Sequence, residues 1–373
     1  MVPTMNDTTP KIRQLFNLDI SRTIEEVIKV DQVAEEILRE EIEEYIATGA
    51  IRKHFRNVLG TYRDALGHPT EGIGIWISGF FGSGKSSFAK MLGLAIANRQ
   101  IAGLPAARRF AGRVGDREID ALLAVINDKI PTHTVIFDVS TERGIRSGNQ
   151  MLTEIMYGLF LHSLGYAKDL DLSELEISLE AEGRLDQFVA AYREVIKKDW
   201  DTEKGKVAFA LNEASRVLHH LDPATYPLPD SWVRAIKGRA DISPGKLAER
   251  CDELMRRRKP DQNLLFVVDE VGQFVARDVQ KMLDLMGIVQ SLGRVGRGKH
   301  WLAVTSQEKL TELVGGIDDR RIELARLMDR FPLQVHLESS DISEVTSRRV
   351  LHKNADAESR LGALFDDHRG RLT

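Results

Sequence analysis

The chain has 373 residues, is 42% hydrophobic and 29% charged, and carries 52 basic against 56 acidic side chains for a net charge of −4. That is enough apolar material for one large domain with insertions, or for two domains. It excludes a disordered chain and gives no global sign of a nucleic-acid binder. The single cysteine, Cys251, excludes an internal disulfide. Asn6, Asp7 and Thr8 interrupt any signal core, and no apolar run is long enough for a bilayer, so a soluble cytoplasmic protein without a membrane partner is expected.

Residues 1–10 read as a mobile leader, and Lys11–Asp19 as a short strand or helical turn. Ile37, Leu38 and Ile42 then recur at helical spacing, and the glutamates between them (35, 36, 40, 41, 43, 44) read as a solvated helix face rather than a metal site. A second helix carries Ile51, Phe55, Val58, Leu59 and Tyr62 on one stripe, and Gly67-His68-Pro69 closes it. The expected division is an N-terminal segment over 1–42, a core over 43–340, and the start of a further helical unit over 341–373.

The apolar run 73–77 predicts a strand and the segment 88–96 a helix. Between them stands Gly79-Phe80-Phe81-Gly82-Ser83-Gly84-Lys85-Ser86. A glycine-rich loop between strand and helix can wrap its N–H groups around phosphates, and the helix N-terminus beyond adds partial positive charge. Gly79, Gly82, Ser83, Gly84, Lys85, Ser86 and Ser87 are therefore the expected nucleotide contacts. Lys85 would reach the β- and γ-phosphates and the Ser86 hydroxyl would ligate Mg²⁺.

Arg99, Arg108, Arg109, Arg113 and Arg117 follow, partly offset by Asp116, Glu118 and Asp120, and read as a solvated basic surface. A helix around 122–126 leads to a second strand over 134–139. Residues 142–262 show helical patterns and little strand, which predicts a helical insertion. Its His219-His220 pair lacks partners at metal-ligand spacing. The run Leu264-Leu265-Phe266-Val267-Val268-Asp269-Glu270 predicts a buried strand ending in two acids, which need a reason to be there. A phosphate site supplies one: Asp269 would hold Mg²⁺, and Glu270 would orient and polarise the attacking water.

An apolar helix over 282–292 and the basic loop Gly293–His300 come next; the loop is either a turn or, with Arg256–Lys259, a DNA contact. The fourth strand, 301–307, ends in Ser306 and Gln307, each a candidate for the γ-phosphate or the attacking water, with a helix cap as the competing role. The segment 318–331 is rich in arginine and precedes a fifth strand over 333–337. Arg330 is placed either to act on a neighbouring subunit's nucleotide, which requires a homo-oligomer, or to form an internal salt bridge. A helix is expected from Ser340-Asp341 onward.

Five apolar strands with this order of motifs resemble the additional-strand P-loop ATPases, in particular the AAA+ class: an α/β fold with a five-stranded parallel sheet and a helical insertion. The segments 28–32, 76–86, 269–274 and 304–308 together resemble the BrxC/PglY family of bacteriophage exclusion (BREX) systems. The resemblance implies a cytoplasmic bacterial ATP- and Mg²⁺-dependent ATPase of phage defence. Its implied partners are other BREX components acting on DNA. Family members are much longer, which implies an N-terminal piece that ends inside a helical lid. Two other functions are weighed: a nucleotide-gated scaffold with little turnover, and a P-loop kinase, against which the insertion and the acidic pair argue.

Overall fold

A computed structural model describes residues 12–17, 34–141, 151–236, 242–276, 278–309, 329–338, 344–345, 347–348 and 351–372. The leader over 1–10, the segment 28–32, the arginines at 320, 321 and 326, and the helix start at 340–341 lie outside the described residues. A 3-10 turn, Ile12–Leu15, comes first. The elements that follow are α1 (Glu35–Glu44), α2 (Gly49–Asp64), β1 (Gly74–Ser78), α3 (Lys85–Ala97), β2 (Gln100–Ile101), β3 (Leu104–Pro105), α4 (Ala106–Val114), α5 (Arg117–Lys129) and β4 (Thr132–Asp138). Among the described residues, seven helices lie between β4 and the next strand: α6 (Leu152–Ser163), α7 (Leu170–Ala181), α8 (Leu185–Ile196), α9 (Trp200–Glu203), α10 (Val207–Leu221), α11 (Ser231–Ala235) and α12 (Pro244–Arg258). The chain continues through β5 (Asn263–Asp269), α13 (Val271–Val275), α14 (Val279–Gly296), β6 (His300–Ser306), β7 (Leu333–His336) and α15 (Ala355–Leu372).

Helices begin where a short polar side chain can accept from the first free N–H groups: Thr48 for α2, Asp116 for α5, Ser243 for α12 and Asp278 for α14. All five main strands are parallel, in the order β4-β5-β6-β1-β7. The central strands β1 and β6 are buried throughout and β5 almost so, which explains their unbroken apolar runs. The edge strands β4 and β7 alternate.

Side-chain alternation assigns the layers. Phe266 of β5 meets Phe160 of α6 at a ring separation of 6.1 Å. Its neighbour Val267, with Ile136 of β4, meets α3 at Gly93, where an added Cβ would lie 2.8 Å from Ile136 Cδ1. Successive residues of a strand face opposite ways, so α3 and α6 cover opposite faces. Tyr62 of α2, against Trp301 of β6 (5.0 Å between rings), joins the α3 side. The helices α12 and α14 pack together and against α6 on the other side.

Two expected boundaries change. The 42/43 division falls inside α1, whose Leu38 and Ile42 belong to the main core. Glu41, read as part of a solvated face, pairs with the buried Lys90 of α3 at 2.5 Å. The insertion is also smaller than 142–262. α6 and α12 contribute Phe160, Leu161, Leu247 and Leu254 to the main core; α8, α9 and α10 close a separate cluster around Phe188, Tyr192, Trp200 and Val217, and α7 joins the two, with Leu170 and Ile177 in the main core and Leu172, Leu175 and Leu179 in the other. Helical periodicity alone could not tell a covering helix of the sheet from one packed on other helices.

The basic run at the end of α12 is engaged within the chain. Arg256 pairs with Asp252, Arg257 with Glu180 and Glu253, and Arg258 with Glu180 while stacking over Tyr166. Among the described residues no helix is long and apolar enough to cross a membrane.

Candidate functional site

Parallel strands share one carboxyl edge. Here Ser78, Asp138, Asp269, Ser306 and His336 end their strands along it. The glycine loop leaves that edge from β1. Gly84, the N-cap of α3, has φ +88, a left-handed conformation that costs other residues and suits glycine. Gly79 is fixed by space: a Cβ there would stand 2.5 Å from Ser83 Oγ and 2.8 Å from Leu337 O. Lys85 is 5% exposed and its Nζ donates to Phe80 O at 3.1 Å, so the cation lies folded under its own loop. Ser83 Oγ is buried without a hydrogen-bond partner. Ser86 and Ser87 sit half-buried in the first turn of α3.

The acidic strand end meets this loop. Asp269, 3% exposed, accepts a hydrogen bond from the Thr305 hydroxyl, and the Ser86 hydroxyl in the first turn of α3 lies beside it. Burial raises its pKa, the two hydroxyls pull it down, and Asp138 on the next strand pushes it up again. Glu270 follows at φ +58, and its N–H donates to Thr305 Oγ1 at 2.9 Å. Its carboxyl is raised by burial and by Asp269, with Lys85 opposing, and its Oε2 is buried with no hydrogen-bond partner. Desolvation lowers the Lys85 pKa, while Glu270 and Asp269 support its charge.

Two carboxylates thus face one lysine, with Asp138 a third negative charge beside them. A bound cation would relieve the excess negative charge, and the unpartnered Glu270 Oε2 is an acceptor without a donor. Among the described residues no group of three or more His, Cys, Asp or Glu side chains forms a metal cage. That suits Mg²⁺, which keeps much of its water and takes one or two protein ligands plus phosphate oxygens. Asp269 and Ser86 fit that limited role.

No protein-family model matches the chain, and no solved structure matches it. The reading of this edge therefore rests on its own geometry.

The structure brings the expected loop residues, Asp269 and Glu270 together. It separates two other candidates from them. Ser306 is buried, and its Oγ accepts from Glu308 N at 3.2 Å. It faces Gly272 of α13, where a Cβ would come within 2.0 Å of that oxygen. Its hydroxyl therefore closes the turn that follows β6. Gln307 follows, half-buried, outside the strand. Arg330 stands before β7 at the amino edge: its carbonyl is against Gly74, the first residue of β1, and its guanidinium is 3.7 Å from Glu71. The length of β1, about 16 Å from Gly74 to Gly79 at ~3.3 Å per residue, separates it from its own loop.

Two residues went unrecognised in the sequence, Thr305 and Asp138. Register could have found both, because Asp138 pairs with Asp269, and Val268 pairs with Val304, which places Thr305 opposite Asp269. The His219-His220 pair lies elsewhere: it lines an open cavity of about 390 Å³ in the insertion with Arg216, and His219 Nδ1 bonds Tyr226 O at 2.6 Å.

Proposed function

We propose that the chain is a Mg²⁺-dependent ATPase with an additional-strand P-loop core of AAA+ type, acting as a cytoplasmic component of a BREX-like bacterial phage-defence assembly on DNA. The observation that carries the ATPase reading is that Lys85 and Ser86, which follow the glycine loop of β1, come together with Asp269 and Glu270 at the end of β5, although β6 separates the two strands in the sheet. The strand order supports it, because it sets the acidic strand and the loop strand on either side of β6. The assignment to phage defence rests on the resemblance of the segments at 28–32, 76–86, 269–274 and 304–308.

The loop N–H groups and the α3 N-terminus cradle the phosphates, and Lys85 turns from Phe80 O to the β- and γ-phosphate oxygens. Asp269 and Ser86 would hold Mg²⁺, which when bound would supply charge neutralisation on the phosphates. Glu270 accepts the proton of the attacking water as its oxygen bonds the γ-phosphorus, and the bond to the β–γ bridging oxygen breaks to release ADP. Its raised pKa suits a base that must take up a proton.

The test is phosphate release that requires Mg²⁺ and is lost in Lys85→Ala. Glu270→Gln should bind ATP and turn over at least about 10²-fold more slowly; unchanged turnover removes Glu270 from the mechanism. Label appearing on a small acceptor rather than in phosphate would replace the reading with a kinase.

A second reading has its own observation. With Arg330 at the amino edge, a lone chain has that arginine far from its own loop. A monomer would then act as a nucleotide-gated scaffold with slow turnover. Turnover per chain that rises with protein concentration, and does so less in Arg330→Ala, would assign the arginine to a neighbour's site.

A further inference from the structure

We infer that Thr305 is a positioning residue of the site: its single hydroxyl donates to Asp269 and accepts from the Glu270 N–H, and so fixes the two acids relative to each other. Both bonds are present, one to Asp269 Oδ1 and one from Glu270 N at 2.9 Å, and Thr305 has no solvent exposure. A hydroxyl has one proton to give and two lone pairs to accept with, so it can serve both partners at once. Within hydrogen-bond range no main-chain group could do this, because an N–H only donates and a carbonyl only accepts.

Each bond has a consequence. Glu270 holds φ +58 and ψ +24, a left-handed conformation that costs a non-glycine residue. The bond from its N–H to β6 is the tertiary contact that holds it there, and this backbone angle decides where the Glu270 carboxylate points. The bond to Asp269 ties that carboxylate to β6. The groups facing Asp269 are Asp138 from β4, Ser86 and Lys85 from α3, Glu270 beside it, and Thr305 from β6. Of these, Thr305 alone touches both acids through hydrogen bonds to a side chain and to the main chain. Alternation along β6 puts Thr305 on the face of Trp301 and Ala303, the α3 side, and Ser306 on the other.

The inference takes from the ATPase reading what the acids are for, but its test does not need turnover. Thr305→Val keeps the shape and removes the hydroxyl; Thr305→Ser keeps the hydroxyl and removes a methyl. In nucleotide-free protein, a crystal structure of Thr305→Val should show Glu270 out of the positive-φ region, and one of Thr305→Ser should keep it there. With ATP, Thr305→Val should lose at least about 10-fold in kcat with KM changed less than about threefold, and Thr305→Ser should restore kcat. A Thr305→Val protein with the wild-type Glu270 backbone overturns the inference, as does Thr305→Ser behaving like Thr305→Val. Should Thr305→Val not fold, Thr305→Ala is read in the same way. If wild type releases no phosphate, the ATPase reading fails while the Glu270 backbone still decides the role of Thr305.

Discussion

The contact between α13 and β6 makes a demanding prediction through Gly272. Glu270 is the N-cap of α13, and Gly272 lies in its first turn. An alanine Cβ at 272 would stand 2.0 Å from Ser306 Oγ, 2.5 Å from Ser306 Cβ and 2.9 Å from Ser306 Cα. An ordinary C···O contact is about 3.3 Å, so the helix and strand must part by roughly 1.3 Å. Rotating Ser306 cannot absorb this, since its Cβ and Cα are also too close. Overpacking of this kind costs about 1–3 kcal/mol. A catalytic group displaced by about 1 Å loses on the order of 10²-fold in rate. Gly272→Ala should therefore lose both stability in urea titration and turnover in a phosphate-release assay. Nucleotide affinity should stay within a few-fold, because the loop of β1 and α3 is untouched. Gly272→Ala/Ser306→Gly removes two of the three contacts and should recover part of each loss. Wild-type turnover in a folded Gly272→Ala protein would refute the claim that α13 sets the position of Glu270. So would a double variant no better than the single one.

Gly93→Ala would push α3 off the sheet at Ile136 and Val267, with an expected loss of about 1–3 kcal/mol in urea titration. Burial lowers His133 and His300 from 6.5 to about 4, with Lys259 adding to the first and Lys299 and Arg256 to the second. Between those values the unfolded chain binds protons that the fold refuses. Stability should thus fall as pH drops through that window, by up to roughly 3 kcal/mol per histidine, and His133→Gln/His300→Gln should flatten the fall. The raised carboxyl of Glu270 works in the opposite sense: its destabilisation is complete above its folded pKa and absent below its unfolded one. Glu270→Gln should accordingly raise the urea midpoint of nucleotide-free protein near neutral pH, with the gain gone in acid.

The sheet was legible because its strands are buried on both faces. Ile73–Ile77, Leu264–Val268 and Trp301–Val304 are runs without a polar side chain, and the parallel central strands they form need apolar side chains on both faces. The glycine loop and the acidic pair were legible for a related reason: backbone space at Gly79 and desolvation at Asp269 restrict the residue types. The helical layers were not. α12 carries an apolar stripe like that of α10, and only contacts show that the first belongs to the main core while the second closes its own cluster. Among the glutamates of α1, Glu41 differs from its neighbours only by what lies opposite it, the buried Lys90.

The missed threonine follows from a rule that sequence already contains. Once Asp269 is taken as a site residue, parallel pairing of β5 with β6 leaves only alternate residues of β6 on its face. Aligning the last apolar pair, Val268 with Val304, selects Thr305 and rejects Ser306. Choosing Ser306 weighed position along the strand and left out its period of two, while Gln307 has the parity of Thr305 but lies beyond the end of β6. The period also accounts for Ser306, which points toward α13, where Gly272 leaves it room. Polar residues at the end of a buried strand thus divide by parity between the reacting side and the packing side. In β6 the two kinds stand next to each other.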